Sequence, residues 1–169
     1  MKLYVLRHAE AEPGAGGTSD EARQLTERGR ERMAEAARGM HRLGLEFDAI
    51  LTSPLARALQ TAAIVAAEYA NQPPPQTLLE LATGVAPARV VAALAPLARH
   101  EAIMIVGHEP QLSALVSLLL AGSPEQVNLQ FTKGGCVALE LSERPERGGS
   151  ELLWMMTMGQ LRKLRKRPA

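Results

Sequence analysis

Lys2-Leu3-Tyr4-Val5-Leu6-Arg7-His8 is the stretch on which the reading of this chain turns. Its apolar centre has the length and composition of a buried strand, and it stops abruptly at a guanidinium and an imidazole. Ala102-Ile103-Met104-Ile105-Val106 is more strand-like still and breaks as sharply, into Gly107-His108-Glu109-Pro110. A third run, Asp48 to Thr52 with Ala49-Ile50-Leu51 at its centre, leads into Ser53-Pro54 and then Arg57. Each of three expected strands therefore delivers a cation or an imidazole at or just beyond its carboxyl end.

The segments between them carry helical signals. Thr26 is the expected N-cap of a helix from Glu27 to Leu43, with Glu27 in its first turn and Gly44 at its end. Pro54 is expected in the first turn of a second helix, whose stripe of Leu55, Leu59, Ala62 and Ala66 would pack on a sheet before Pro73-Pro74-Pro75. Leu78 to Leu81 reads as a short extended piece. Ala88 to Ala98 reads as an alanine-rich helix opened by Pro87, and Leu112, Leu115, Val116 and Leu119 mark the buried face of another. Cys136 to Leu141 and Glu151 to Thr157 read as two further strands, parted by Glu146-Arg147-Gly148-Gly149. Glu10 to Glu21, rich in glycine and proline, is a loop.

Strands alternating with helices predict an α/β fold, a three-layer sandwich with a largely parallel central sheet flanked by helices. No internal repeat or second core is visible, so residues 1–169 are expected to form a single domain with a flexible basic tail from about residue 162.

Composition narrows the function. The chain has 169 residues, 46% hydrophobic and 22% charged, with a formal net charge of +1. A near-neutral surface offers no bulk attraction for nucleic acid, so any anion must be held by a local cluster. The single cysteine, Cys136, excludes an intramolecular disulfide and a cysteine-rich zinc site, and reads as small core filling. Met1-Lys2 leads into a run of strand length with no secretory pattern, and no later apolar run is long enough for a bilayer, so a cytoplasmic location is expected. The basic stretch Arg162 to Arg167 has no interleaved aromatic residue and reads as a solvated terminus rather than a nucleic-acid or membrane contact.

In open α/β sheets, functional groups gather at the carboxyl ends of strands. Arginine recognises phosphate oxygens with a planar, permanently charged fork, and a neutral imidazole can attack phosphorus. Taken singly, Arg7 and Arg57 read as solvated residues, His8 as a histidine hydrogen-bonded in a turn, and His108 as a helix cap. Taken together, Arg7, His8, Arg57 and His108 form a phosphoryl-binding constellation. His41 and His100 have no motif around them and are expected at the surface near helix ends.

Leu6-Arg7-His8-Ala9-Glu10-Ala11 resembles the signature of the histidine phosphatase superfamily, which includes cofactor-dependent phosphoglycerate mutase. Thr52-Ser53-Pro54-Leu55-Ala56-Arg57-Ala58-Leu59-Gln60-Thr61 is similar to the family's second motif, and Val106-Gly107-His108 to its third. Arg23-Gln24-Leu25-Thr26-Glu27-Arg28-Gly29, with the short length, resembles the phosphohistidine phosphatase SixA branch. Two positions depart from pattern: Ala9 stands where many members have glycine, and Gln24 where proline is expected.

The resemblance implies a phosphoglycerate mutase-like fold, with His8 as the nucleophile forming a transient phosphohistidine. Arg7, Arg57 and His108 would bind the phosphoryl oxygens. Arg23 would reach the same pocket, and Glu80, in Leu78-Leu79-Glu80-Leu81, stands where larger members carry a proton-donating acid. No cofactor or metal is expected, since there is no close histidine pair, ligand-spaced carboxylate cluster or Walker-type loop. The expected substrate is a phosphohistidine-bearing signalling or phosphotransfer protein. The alternatives are a small phosphorylated metabolite or, in a different class, a non-catalytic phosphate-binding module. Neither nucleic acid nor a membrane is an expected partner.

Overall fold

A computed structural model describes residues 1–14, 19–70, 73–142 and 145–165. Its elements are β1 (Lys2–Arg7), α1 (Glu27–Arg42), β2 (Ala49–Thr52), α2 (Ala56–Ala66), β3 (Gln76–Thr77), α3 (Pro87–Leu94), β4 (Ala102–Gly107), α4 (Gln111–Ala121), β5 (Cys136–Glu140), β6 (Glu151–Met156) and α5 (Met158–Lys163). The six strands form one sheet in the order β3-β2-β4-β1-β5-β6. β3, β2, β4 and β1 are parallel, and β5 is antiparallel to β1 and to β6. This is the expected α/β sandwich with a largely parallel central sheet flanked by helices.

Because side chains alternate across a strand, each central strand feeds two cores. Tyr4 and Leu6 of β1 join Met104 and Val106 of β4 beneath α1, α2 and α5, where Met33, Met40, Ala62 and Leu161 pack. Leu3 and Val5 join Ile103 and Ile105 on the other face, against Val90 and Leu94 of α3 and Leu112, Leu115 and Leu119 of α4. β1 and β4 are buried on both faces, which is why they read as unbroken apolar runs.

α1 begins at the expected cap, Thr26 accepting the Gly29 amide at 2.8 Å. α3 begins at Pro87 but gives way to a 3-10 turn at Ala95–Leu97, because Pro96 has no amide to continue the α-helical ladder.

Other expectations are corrected. Pro54 lies in the turn before α2, which starts two residues later. The buried face of α2 is Arg57, Ala58, Thr61, Ala62 and Val65, with Leu59 on its exposed side, since Leu59 stands two positions from both Arg57 and Thr61 and so cannot share their face. The extended piece is Gln76–Thr77, and Leu79–Leu81 is a 3-10 turn.

The basic tail, expected to be free from about residue 162, is anchored through Arg165. Thr157 and Gln160 form a capping box that starts α5, Arg162 bonds Glu35 of α1 at 2.5 Å, and Arg165 pairs with it at 3.1 Å. Gly39 permits this docking, since a Cβ there would overlap the Leu161 carbonyl. The rest of that basic stretch, positions 166–169, lies outside the described residues.

Candidate active site

The strand order β2-β4-β1 places the three candidate strand ends side by side. Backbone bonds run past the strands: the Ser53 amide donates to Val106 O at 3.0 Å and the His8 amide to Gly107 O at 3.1 Å. On the other side, Gly134, at φ +68, donates its amide to the carbonyls of Arg7 and His8, both at 3.1 Å. Few residues other than glycine adopt that backbone readily. The Arg7-His8 dipeptide is thereby held from both flanks.

His8 is 7% exposed, and its ring lies 5.0 Å from that of His108, centroid to centroid. Its Nδ1 is 2.7 Å from the Ala9 carbonyl, which can only accept, so the proton of the neutral ring sits on Nδ1 and Nε2 carries the lone pair. Burial is the chief cause that pushes its pKa down to about 4, reinforced by the charges of Arg57, Arg7 and Lys133 and opposed by the Ala9 bond. Ala9 in turn is fixed by Thr61 of α2, whose hydroxyl accepts the Ala9 amide at 3.1 Å.

His108 is held at Nε2 by Ser53 Oγ, 2.8 Å away. Ser53 Oγ also accepts the Leu55 amide at 3.3 Å, leaving its proton free to donate to His108. With the serine donating, the imidazole proton sits on Nδ1, a buried atom with no hydrogen-bond partner. Burial, together with His8 and the arginines, lowers the His108 pKa to about 3, so this ring is neutral and still able to donate.

Arg7 donates through Nη1 to Phe131 O at 2.5 Å, while its buried Nε has no partner. Arg57, 4% exposed, donates to the Asp20 carbonyl at 2.5 Å and to its carboxylate at 2.9 Å. Arg23 grips the same carboxylate at 2.7 Å. The two guanidinium groups, Arg23 foremost, hold the Asp20 carboxyl below its usual pKa.

The fold thus brings His8 and His108 together, with Arg57 and Arg7 close enough to act on both rings, and joins Arg23 to Arg57 through Asp20. Glu80 stands apart: its carboxylate faces Arg89 at 3.7 Å, and its carbonyl accepts Gln111 Nε2 at 2.8 Å. Among the described residues, Glu80 forms no hydrogen bond or ion pair with His8, Arg7 or Arg57. His41 is exposed, and its ring lies 5.0 Å from that of Tyr69; His100 is half-buried beside Asp48. Cys136 is fully buried core, its thiol pKa raised by burial. Among the described residues no group of three or more histidine, cysteine or carboxylate side chains is placed to hold a metal.

Sequence reading missed three contributors: Ser53, Asp20 and Gln111. Ser53 stands inside the second motif, one residue past its strand, and that position was the available signal. Asp20 and Gln111 act through long-range contacts that leave no periodic trace. The departure at Gln24 is accommodated by Gln60, which bonds the Gln24 side chain and accepts the Leu25 amide at 2.8 Å.

The family model for the histidine phosphatase superfamily, branch 1, matches residues 3–86. The chain belongs to the histidine phosphatase superfamily. It is 38% identical over 145 residues to an uncharacterised protein of a Picosynechococcus species, spanning 82% of this chain and 84% of that one. Among solved structures, this superfamily member resembles the protein histidine phosphatase SixA complexed with tungstate, at a TM-score of 0.83 and 26% identity over 95% of this chain and 99% of SixA. The α-ribazole phosphatase of Shigella flexneri shares its fold, at a TM-score of 0.73 and 19% identity over 94% and 97% of the two chains. Within the superfamily the chain is SixA-like, and this kinship supports phosphatase activity.

Proposed function

We propose that this protein is a metal-independent phosphatase that removes phosphoryl groups from phosphohistidine in signalling or phosphotransfer proteins. The geometry that carries the reading is the setting of His8: Nδ1 at 2.7 Å from the Ala9 carbonyl, which leaves the lone pair on Nε2, and a second histidine ring 5.0 Å away, with burial lowering the His8 pKa to about 4.

In the first step His8 Nε2 attacks phosphorus, the new P–N bond forms, and the bond to the substrate's imidazole breaks. A phosphoimidazole protonated at its other ring nitrogen departs as neutral imidazole, so this substrate class needs no separate acid. That fits a Glu80 engaged elsewhere. Water then adds to phosphorus, Nε2 recovers its electron pair, and inorganic phosphate leaves with the water's oxygen and protons. Arg7, Arg57 and the His108 Nδ1 proton stabilise the phosphoryl oxygens throughout. Substrate phosphate takes the place of the Asp20 carboxylate on Arg57.

Kinetics on a histidine-phosphorylated phosphotransfer protein, against phosphoserine, α-ribazole phosphate and sugar phosphates, test the reading. The phosphoprotein is expected to give the highest kcat/KM, unchanged by chelator. A small ester turned over far faster than the phosphoprotein, or loss of activity on chelation, overturns it.

A further inference from the structure

Beside the candidate active site lies a cleft of about 250 Å³ between the segment 83–87 and the start of α4. We propose that this cleft is the subsite for the leaving side of the substrate, and that it selects an uncharged, apolar side chain next to the phosphorylated histidine. The proposal rests on the reading of the site as a phosphohistidine phosphatase.

Continuity comes first. His108 is one wall of the cleft and its ring is 5.0 Å from the ring of His8, so the cleft and the candidate active site share this residue. In the proposal, the leaving side of a substrate whose phosphorus meets His8 passes His108 into this space. Chemistry comes second. Val85 and Pro87 on one wall face Pro110 and Ala114 on the other, and no lysine or arginine lines the cleft. Its one charged residue, Glu109, has its carboxylate committed to the Ser113 amide at 3.0 Å and hydroxyl at 2.5 Å. A carboxylate or second phosphate entering here would lose water and find no cation, which is costly. An apolar side chain would gain by burial.

Size comes third. Pockets for whole small-molecule ligands run to roughly 300–1,000 Å³, so this one suits a side chain rather than a nucleotide. It is also preformed. Gln111 Nε2 donates to the carbonyls of Glu80 and Val85, both at 2.8 Å, and ties the two walls together. A cleft set in advance selects shape without an ordering cost on binding.

The test compares phosphohistidine peptides carrying leucine or aspartate beside the phosphohistidine with phosphoramidate, a phosphodonor with nothing to place in the cleft. Wild type is expected to prefer the leucine peptide by at least tenfold in kcat/KM. Ala114→Trp, which fills the cleft, should lower the leucine-peptide rate at least tenfold and leave phosphoramidate within twofold. Val85→Arg, which adds a cation, should shift preference towards the aspartate peptide. The unchanged phosphoramidate rate reports that each variant is folded. Equal wild-type rates on the two peptides, or equal losses on peptide and phosphoramidate in Ala114→Trp, overturn the subsite. Wild type inactive on all three substrates fails the underlying phosphatase reading instead, and the subsite with it.

Discussion

The two edges of the sheet both gather charged and imidazole side chains and are finished in opposite ways. At the amino edge, a polar cleft of about 460 Å³ gathers Lys2, Glu46, Asp48, His100, Glu101 and Glu140. Its key carboxylates are satisfied: Asp48 accepts the amides of Glu101 at 2.8 Å and Ala102 at 3.2 Å, and Glu140 pairs with the amino terminus at 3.0 Å. At the carboxyl edge, the Arg7 Nε and His108 Nδ1 are buried without a partner, and burial keeps two histidines neutral at pH values where an ordinary imidazole is protonated. An unsatisfied buried donor costs on the order of 1–3 kcal/mol, so one edge adds stability while the other gives some up, as the proposed anion site requires.

The comparison breaks most visibly at Arg57. Arg57→Ala should lower kcat/KM by about 10²–10³-fold, the scale of losing a preorganised donor to an oxyanion. Steady-state kinetics on phosphoramidate measure it, and a fall under tenfold would remove Arg57 from the phosphoryl site.

Acid sharpens the comparison next. As pH drops from 6.5 towards 4, the unfolded chain protonates histidines that the fold keeps neutral, so it binds more protons and stability falls. His8→Gln removes one of those groups. At pH 5, 1.5 units below the ordinary value of 6.5, the variant should recover about 2 kcal/mol relative to its wild-type difference at pH 7. Urea unfolding of both proteins at the two pH values reads this directly, and parallel losses would contradict the buried, neutral His8.

At the amino edge, Asp48→Ala should cost about 1 kcal/mol in the same unfolding assay through the two lost amide acceptors, with kcat/KM unchanged. A loss of activity with intact folding would end the division between the edges. The smallest effect is expected at Asp20. In the proposed site phosphate displaces this carboxylate from Arg57, so Asp20→Asn should tighten inhibition by inorganic phosphate about threefold, in line with a partly exposed ion pair.

What the sequence disclosed follows from which interactions are local. Leu3 to Leu6 and Ala102 to Val106 are read as strands because burial on both faces leaves no polar position, and the residues at their ends, His8 and His108, then fall on one edge. Arg57 is legible through Ser53-Pro54 before it. The Asp20 contact with Arg57, the Gln111 tie to Glu80 and Val85, and the Ser53 bond to His108 join residues far apart in the chain, and nothing in local spacing encodes them. α5 is a different kind of omission. Thr157-Met158-Gly159-Gln160 carries a capping-box pattern, but Thr157 also ends an apolar run, and the strand reading hid the helix start. Glu80 matches a motif position, yet a 3-10 turn and an Arg89 partner decide where its carboxylate points.

The central claim is that His8 Nε2 carries the phosphoryl group. Brief incubation with radiolabelled phosphoramidate, rapid quenching in alkali and peptide mapping test it most directly. The account predicts an acid-labile, alkali-stable label on the peptide containing His8, absent in His8→Gln and longer-lived when water attack is slowed by cold. A label that persists in His8→Gln, or turnover of substrate by that variant at the wild-type rate, would contradict it.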